Sequence, residues 1–148
     1  VQTPNSSNLI KIGSNGTQLD AGADTFLATL NPATGLMAAV GAIADELTYA
    51  EAEAALGLLN ADSYAGFNDW RLPTVQELFS LVDHSRHSPA ADPAFYPDTK
   101  SDWYWSSTPV AWSSDHAWIV NFGLGHVDDY GRDYAAFVRP VRAVSAGQ

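Results

Sequence analysis

The sequence predicts an α+β domain: two helices in its first half, then a small antiparallel meander, with long loops between. Three observations carry that expectation. Thr48-Tyr49-Ala50-Glu51 and Thr74-Val75-Gln76-Glu77 are both capping boxes, in which the Thr hydroxyl accepts from the N–H three residues on and the Glu reaches back. Trp118, Val120 and Phe122 alternate with their neighbours at a period of two, and Gly123-Leu124-Gly125 follows as a hairpin turn. The 148 residues are 46% hydrophobic and include five Trp, six Tyr and six Phe, enough to build one packed core rather than a disordered chain.

Residues 1–8 are polar and turn-like and read as a lead-in. Leu9–Ile12 reads as a short strand broken by Gly13-Ser14-Asn15-Gly16, Thr25–Leu30 as a second ended by Asn31-Pro32, and Leu36–Val40 as a third, buried strand. The first helix carries Tyr49, Ala52, Leu56 and Leu59 at helical spacing and fades near Asn60. A loop with Tyr64 and Phe67 leads to the second helix, whose apolar face is Val75, Leu78, Leu81 and Val82. Pro73 before its cap holds Leu72 extended. The stretch from Asp83 to Asp102 is long for a compact domain and marks a packed or functional loop. Strands are expected at Trp103–Ser106, Ala117–Phe122, His126–Asp129 and Phe137–Val144.

Charge and composition exclude several functions. Seventeen acids against seven bases give a net charge of −10, and the only lysines, Lys11 and Lys100, are far apart. Binding through phosphates needs clustered cations, so nucleic acids and anionic membranes are disfavoured, while a cationic partner or a divalent cation is favoured. Without cysteine there is no disulfide framework, thiolate metal site or thiol catalysis. The longest apolar stretch, Gly35 to Ala44, falls far short of the ~20 residues a membrane span requires. No signal peptide is evident, and a start at Val1 rather than Met reads as a trimmed or mature fragment.

Several separated motifs occur in order: Gly35-Leu36-Met37, Glu51-Ala52, Phe67-Asn68-Asp69-Trp70-Arg71-Leu72-Pro73-Thr74 with Glu77-Leu78, Tyr104-Trp105-Ser106-Ser107-Thr108, and Val138-Arg139-Pro140-Val141-Arg142. Over roughly residues 24–144 this pattern resembles a bacterial and phage domain family that includes the C-terminal domain of a bacterial collagen-like adhesin. That family is similar in turn to the C-type-lectin fold shared by formylglycine-generating enzymes and the variable proteins of diversity-generating retroelements. The resemblance implies a C-type-lectin-like ligand-binding scaffold on a cell surface or virion. It divides the chain into an N-terminal lead-in with a first strand, 1–23, and a ligand-binding domain, 24–148. Pro140 stands where the family often has Cys.

Most singular residues read as frame. Arg71, between Trp70 and Leu72, is expected half-buried against Asp69 or a loop carbonyl. Arg139 and Arg142 differ by an odd number of positions on one strand, so one is expected buried and paired and the other at the surface. The animal-lectin calcium signatures Glu-Pro-Asn, Gln-Pro-Asp and Trp-Asn-Asp are missing, and Asp128-Asp129-Tyr130-Gly131-Arg132-Asp133 reads as a solvated loop before it reads as a calcium site. His84 and His87 lack a third ligand at metal-site spacing and read as surface histidines. Ser106, Ser107 and Ser113 lack a nucleophile-elbow frame, and the chemistry of formylglycine-generating enzymes requires cysteines. No enzyme, no cofactor and no resident metal are expected.

What remains is the stretch from Pro109 to Tyr134. Trp112, Ser114, Asp115, His116, His126, Asp128, Tyr130, Arg132 and Tyr134 mix aromatic anchors with small polar and charged groups, as adaptable binding surfaces do. These nine are the candidate site. The expected function is a non-enzymatic adhesin or receptor-binding module for a protein or glycan on another cell, extracellular, and the resemblance extends to variable proteins diversified by retroelements. The alternative is a structural or homo-oligomerising domain at the end of a surface or phage fibre.

Overall fold

In a computed structural model, residues 9–43 and 45–144 are described; the lead-in expected over residues 1–8 lies outside them. Two antiparallel sheets and two helices form the domain. The first sheet contains β1 (Ile10–Ile12), β2 (Gln18–Leu19), β3 (Ala28–Asn31), β4 (Leu36–Ala39) and β8 (Val141–Ala143) in the order β2-β1-β3-β4-β8. The second contains β5 (Trp103–Val110), β6 (Ser113–Asn121) and β7 (His126–Gly131) in that order. Helices α1 (Tyr49–Ala61) and α2 (Val75–Phe79) lie between β4 and β5 in sequence.

The helices start where their side chains dictate. Thr48 Oγ1 accepts from the Glu51 N–H at 3.3 Å while Glu51 accepts from the Thr48 N–H at 2.9 Å. Thr74 and Glu77 repeat the arrangement at 3.2 and 2.9 Å. Such caps contribute about 1 kcal/mol each. Helix α2 is shorter than its apolar spacing suggests. Beyond Phe79 the chain tightens into three-residue turns, with Leu81 N–H bonded to Leu78 O and Val82 N–H to Phe79 O. Leu81 and Val82 still pack inward, but not on a continued α-helix.

The core lies in two clusters. One joins α1 and the Trp70 loop to Met37, Ala39, Trp105 and Ile119; the other joins α2 and the 90–96 loop to Ala38, Tyr104, Val120 and Val141. The long 83–102 loop is a packed one: Ala90, Ala91, Phe95 and Tyr96 are buried, and Thr29 Oγ1 donates to Phe95 O at 2.7 Å.

Three sequence motifs close on one another. Arg71 and Val141 exchange backbone bonds at 2.9 and 2.8 Å, Ser107 N–H donates to Pro73 O at 2.7 Å, and Trp105 N–H donates to Phe137 O at 2.9 Å. Asn60 brackets Trp70, accepting from its N–H at 2.7 Å and donating to its carbonyl at 2.9 Å. Tyr64 hydroxyl lies 2.8 Å from the carbonyls of both Leu27 and Val40, and burial pushes this phenol up to about 12.

Some sequence expectations are corrected. Arg71 is half-buried and donates to a loop carbonyl, Leu72 O at 3.2 Å, but its carboxylate is Glu77, held bidentate at 2.7 and 2.9 Å, rather than Asp69. Asp69 pairs with Arg142 at 2.6 Å. Arg139 and Arg142 are both buried: the expected strand over 137–144 is regular only at 141–143, so strict alternation does not reach Arg139. Arg139 donates to Asp98 and to Ala39 O at 2.9 and 2.8 Å.

Candidate ligand-binding faces of the β6–β7 hairpin

Strands β6 and β7 pair from His116 opposite Gly131 to Asn121 opposite His126, with Gly123-Leu124-Gly125 at the tip. Because side chains alternate, this register sorts the nine candidate residues onto two faces. Ser114 and His116 share a face with Trp118 and Asp129, and Trp112, in the turn before β6, packs against Trp118. Asp115, His126, Asp128 and Tyr130 lie on the opposite face, and Arg132 and Tyr134 continue from it. The structure therefore brings the candidates together as two sets rather than one.

On the first face, Trp112 is 71% exposed and meets half-buried Trp118 at a right angle, ring centroids 5.6 Å apart. His116 Nδ1 lies 2.9 Å from Asp129 Oδ2. Asp129 sits opposite Trp118 on the neighbouring strand, so the two side chains share this face. Toward the tip the same face carries exposed Val127, opposite Val120; Leu124 in the turn and Phe79 at the end of α2 are also exposed, and the Phe79 ring lies 5.2 Å from that of His84.

On the second face, aromatic rings run from core to surface. Tyr49 meets Trp105 at 5.5 Å, Trp105 meets Tyr130 at 5.7 Å, and Tyr130 meets Tyr134, which is 59% exposed, at 5.0 Å. The Arg132 guanidinium lies 4.3 Å over the Tyr49 ring, and its buried Nε has no hydrogen-bond partner. Burial raises the Tyr49 phenol above its ordinary range, and the Arg132 charge acts in the opposite direction. Thr48, Tyr49, Glu53, Arg132 and Asp133 line a shallow cleft of about 500 Å³ here. A more enclosed cleft of about 370 Å³ is lined by Leu9, Leu36, Val82, His84, Asp92 and Tyr96, with none of the nine candidates among its lining residues.

Among the described residues, no group of three or more His, Cys, Asp and Glu is placed to hold a metal ion. Asp128 and Asp129 are consecutive on a strand and point apart, so this acidic run does not converge. His84 and His87 are exposed and lie beyond the end of α2. Buried Ser106 donates to Trp118 O at 2.6 Å, a structural bond.

Sequence reasoning missed Trp118, Asp129 and Tyr49 as parts of these faces. Trp118 is read from the sequence only as part of the alternating strand that includes Val120 and Phe122. The signal that finds it is the same alternation: residues 114, 116 and 118 must share a face, and the exposed Ser114 shows that face to open to solvent at its end.

The family model of the Lcl C-terminal domain, the Legionella collagen-like protein C-terminal domain, matches residues 28–142. The matched span begins with β3 and runs through both helices and the whole β5-β6-β7 sheet into β8. No curated protein matches the chain.

Proposed function

The chain belongs to the Lcl C-terminal domain family, and from that membership we propose that it is a non-enzymatic ligand-binding module, displayed outside the cell to hold a protein or glycan on another surface. The family comes from a collagen-like adhesin. The observation that carries the reading is the pair of exposed aromatic anchors, Trp112 and Tyr134, each packed against a second ring that roots it in the hairpin. Aromatic side chains held rigid at a surface bring large contact area at small entropic cost, which is how binding hot spots are made. The C-type-lectin-like reading is supported by an α+β frame in which the last strand returns to the first sheet and a second sheet carries the aromatic turns.

The test is capture of the domain on arrays of extracellular-matrix proteins and of glycans. Trp112→Ala and Tyr134→Ala, singly and together, are expected to weaken capture by about tenfold or more while leaving the unfolding temperature unchanged. Tyr130 is left intact because it packs against Trp105. Undiminished capture by the double variant overturns the reading.

A second reading, a structural module that assembles with copies of itself, is favoured by the exposed apolar side chains of Leu124, 62% exposed, in the hairpin turn and Val127 on β7. Light scattering decides it: a concentration-independent oligomer dispersed by Leu124→Lys supports assembly, and a monomer up to high concentration excludes it.

A further inference from the structure

The Trp112–Trp118 corner has a feature that narrows the ligand's chemistry. Two indoles at 90° form two walls, and Asp129 is the cross-strand partner of one of them, Trp118, on the same face. Indole is the strongest natural acceptor of a cation over its face. The fold uses that attraction repeatedly in its own interior: Lys11 lies 4.6 Å over Phe26, Arg132 4.3 Å over Tyr49 and Arg142 3.8 Å over Phe67. Among the described residues, no cation of the chain lies over Trp112 or Trp118. Its arginines are engaged elsewhere, Arg71 with Glu77, Arg86 with Asp83, Arg139 with Asp98 and Arg142 with Asp69.

Charge points the same way. Asp129 lies on this face with no lysine or arginine of the hairpin beside it, while Asp115, Asp128 and Asp133, with Arg132, lie on the other face, and the chain as a whole has a net charge of −10. A polyanion is repelled by this surface and a cationic one is steered to it. The carboxylate then separates lysine from arginine. Asp129 Oδ2 is taken by His116 Nδ1 at 2.9 Å, and Oδ1 has no protein donor among the described residues. One free oxygen suits a compact ammonium, whereas a guanidinium fork is best met by two.

We propose that Trp112, Trp118 and Asp129 form a receptor for an ammonium group, and that the partner is a lysine-bearing polypeptide surface. This rests on the ligand-binding reading above and names its partner class. The lysine stem packs on the indoles, the ammonium meets Asp129, and His116 holds that carboxylate in place.

The experiment is fluorescence anisotropy of labelled octalysine with the whole domain at physiological salt, where nonspecific attraction is screened. Octalysine is expected to bind, with Trp112→Ala and Asp129→Asn each weakening it roughly tenfold and Trp112→Phe less. Asp24→Asn makes the same charge change at an exposed site outside the hairpin and is expected to change binding less than about twofold. Equal weakening by Asp24→Asn and Asp129→Asn, equal or tighter binding of octaarginine or dextran sulfate, or no octalysine binding overturns the lysine assignment. If it fails while a glycan or matrix protein is still captured in a Trp112-dependent way, the ligand-binding module stands. If array capture is also indifferent to both Trp112→Ala and Tyr134→Ala, both readings fall.

Discussion

Arg139 and Arg142 look alike in the sequence, and the fold treats them differently. Arg139 is almost fully enclosed and donates to the Asp98 carboxylate, the Ala39 carbonyl and the Thr99 hydroxyl. Truncating it strands several acceptors together, so Arg139→Ala is expected to cost about 3 kcal/mol in urea unfolding. Arg142 meets Asp69, whose side chain is 55% exposed, and lies over the Phe67 ring. Water can replace much of that contact, so Arg142→Ala is expected to cost less, about 1 kcal/mol. Equal losses would show that burial of the partner does not set the difference. Neither pairing was legible. Asp69 is 73 positions from Arg142 and beside Arg71 in sequence, so proximity along the chain suggested the wrong arginine. Glu77 takes Arg71 because the cap of α2 already fixes it within reach.

At the scale of elements, what was legible was whatever local chemistry decides. Both capping boxes form as written, because an orphan helix N–H and a neighbouring hydroxyl need no distant partner. The end of α2 was not legible, since tertiary packing there exchanges α-helical bonds for tighter turns. Glu77 ties the element down, serving both as cap and as partner of Arg71. The Arg71 hydrogen bond, with the Thr74 bonds, holds its carboxyl below the ordinary 4.5 although burial opposes this. A depressed folded value means a contribution that is complete above pH ~4.5 and is lost as pH falls through the folded value. Glu77→Gln is therefore expected to destabilise by roughly 1 kcal/mol at pH 7, the pair being partly exposed. The gap between wild type and variant should close as urea titrations move below pH 4.5. A gap independent of pH would remove the carboxylate from the account. The hairpin followed the same division: the stretch from 109 to 134 could be found by composition, but its sorting into two faces needed the register of β6 on β7.

Across the whole molecule, the strand that joins these parts is β4. All four of its residues are buried, with Met37 and Ala39 in the α1 cluster and Leu36 and Ala38 in the α2 cluster. A strand packed on both faces reads as a continuous apolar run, which is why Leu36–Val40 was legible as buried while its neighbours were not. Its sequence becomes small where the cores close. Ala38 sits opposite Val141 and Thr29, and Ala39 opposite Ala28. Ala38→Leu and Ala39→Leu each force extra volume into a different cluster, and overpacking costs about 1–3 kcal/mol. If the two clusters unfold together through β4, both variants should lower one shared thermal transition, by roughly 2–4 °C per kcal/mol for a chain of this size. Calorimetry checks this: two separated transitions, with only one displaced by each variant, would show that the clusters fold independently. A single transition would mean that the hairpin face is held by the whole frame. Trp112 and Asp129 then keep their geometry because Trp118, which meets both, lies between Ala117 and Ile119, and those two pair with β5 and are buried in the same core that β4 closes.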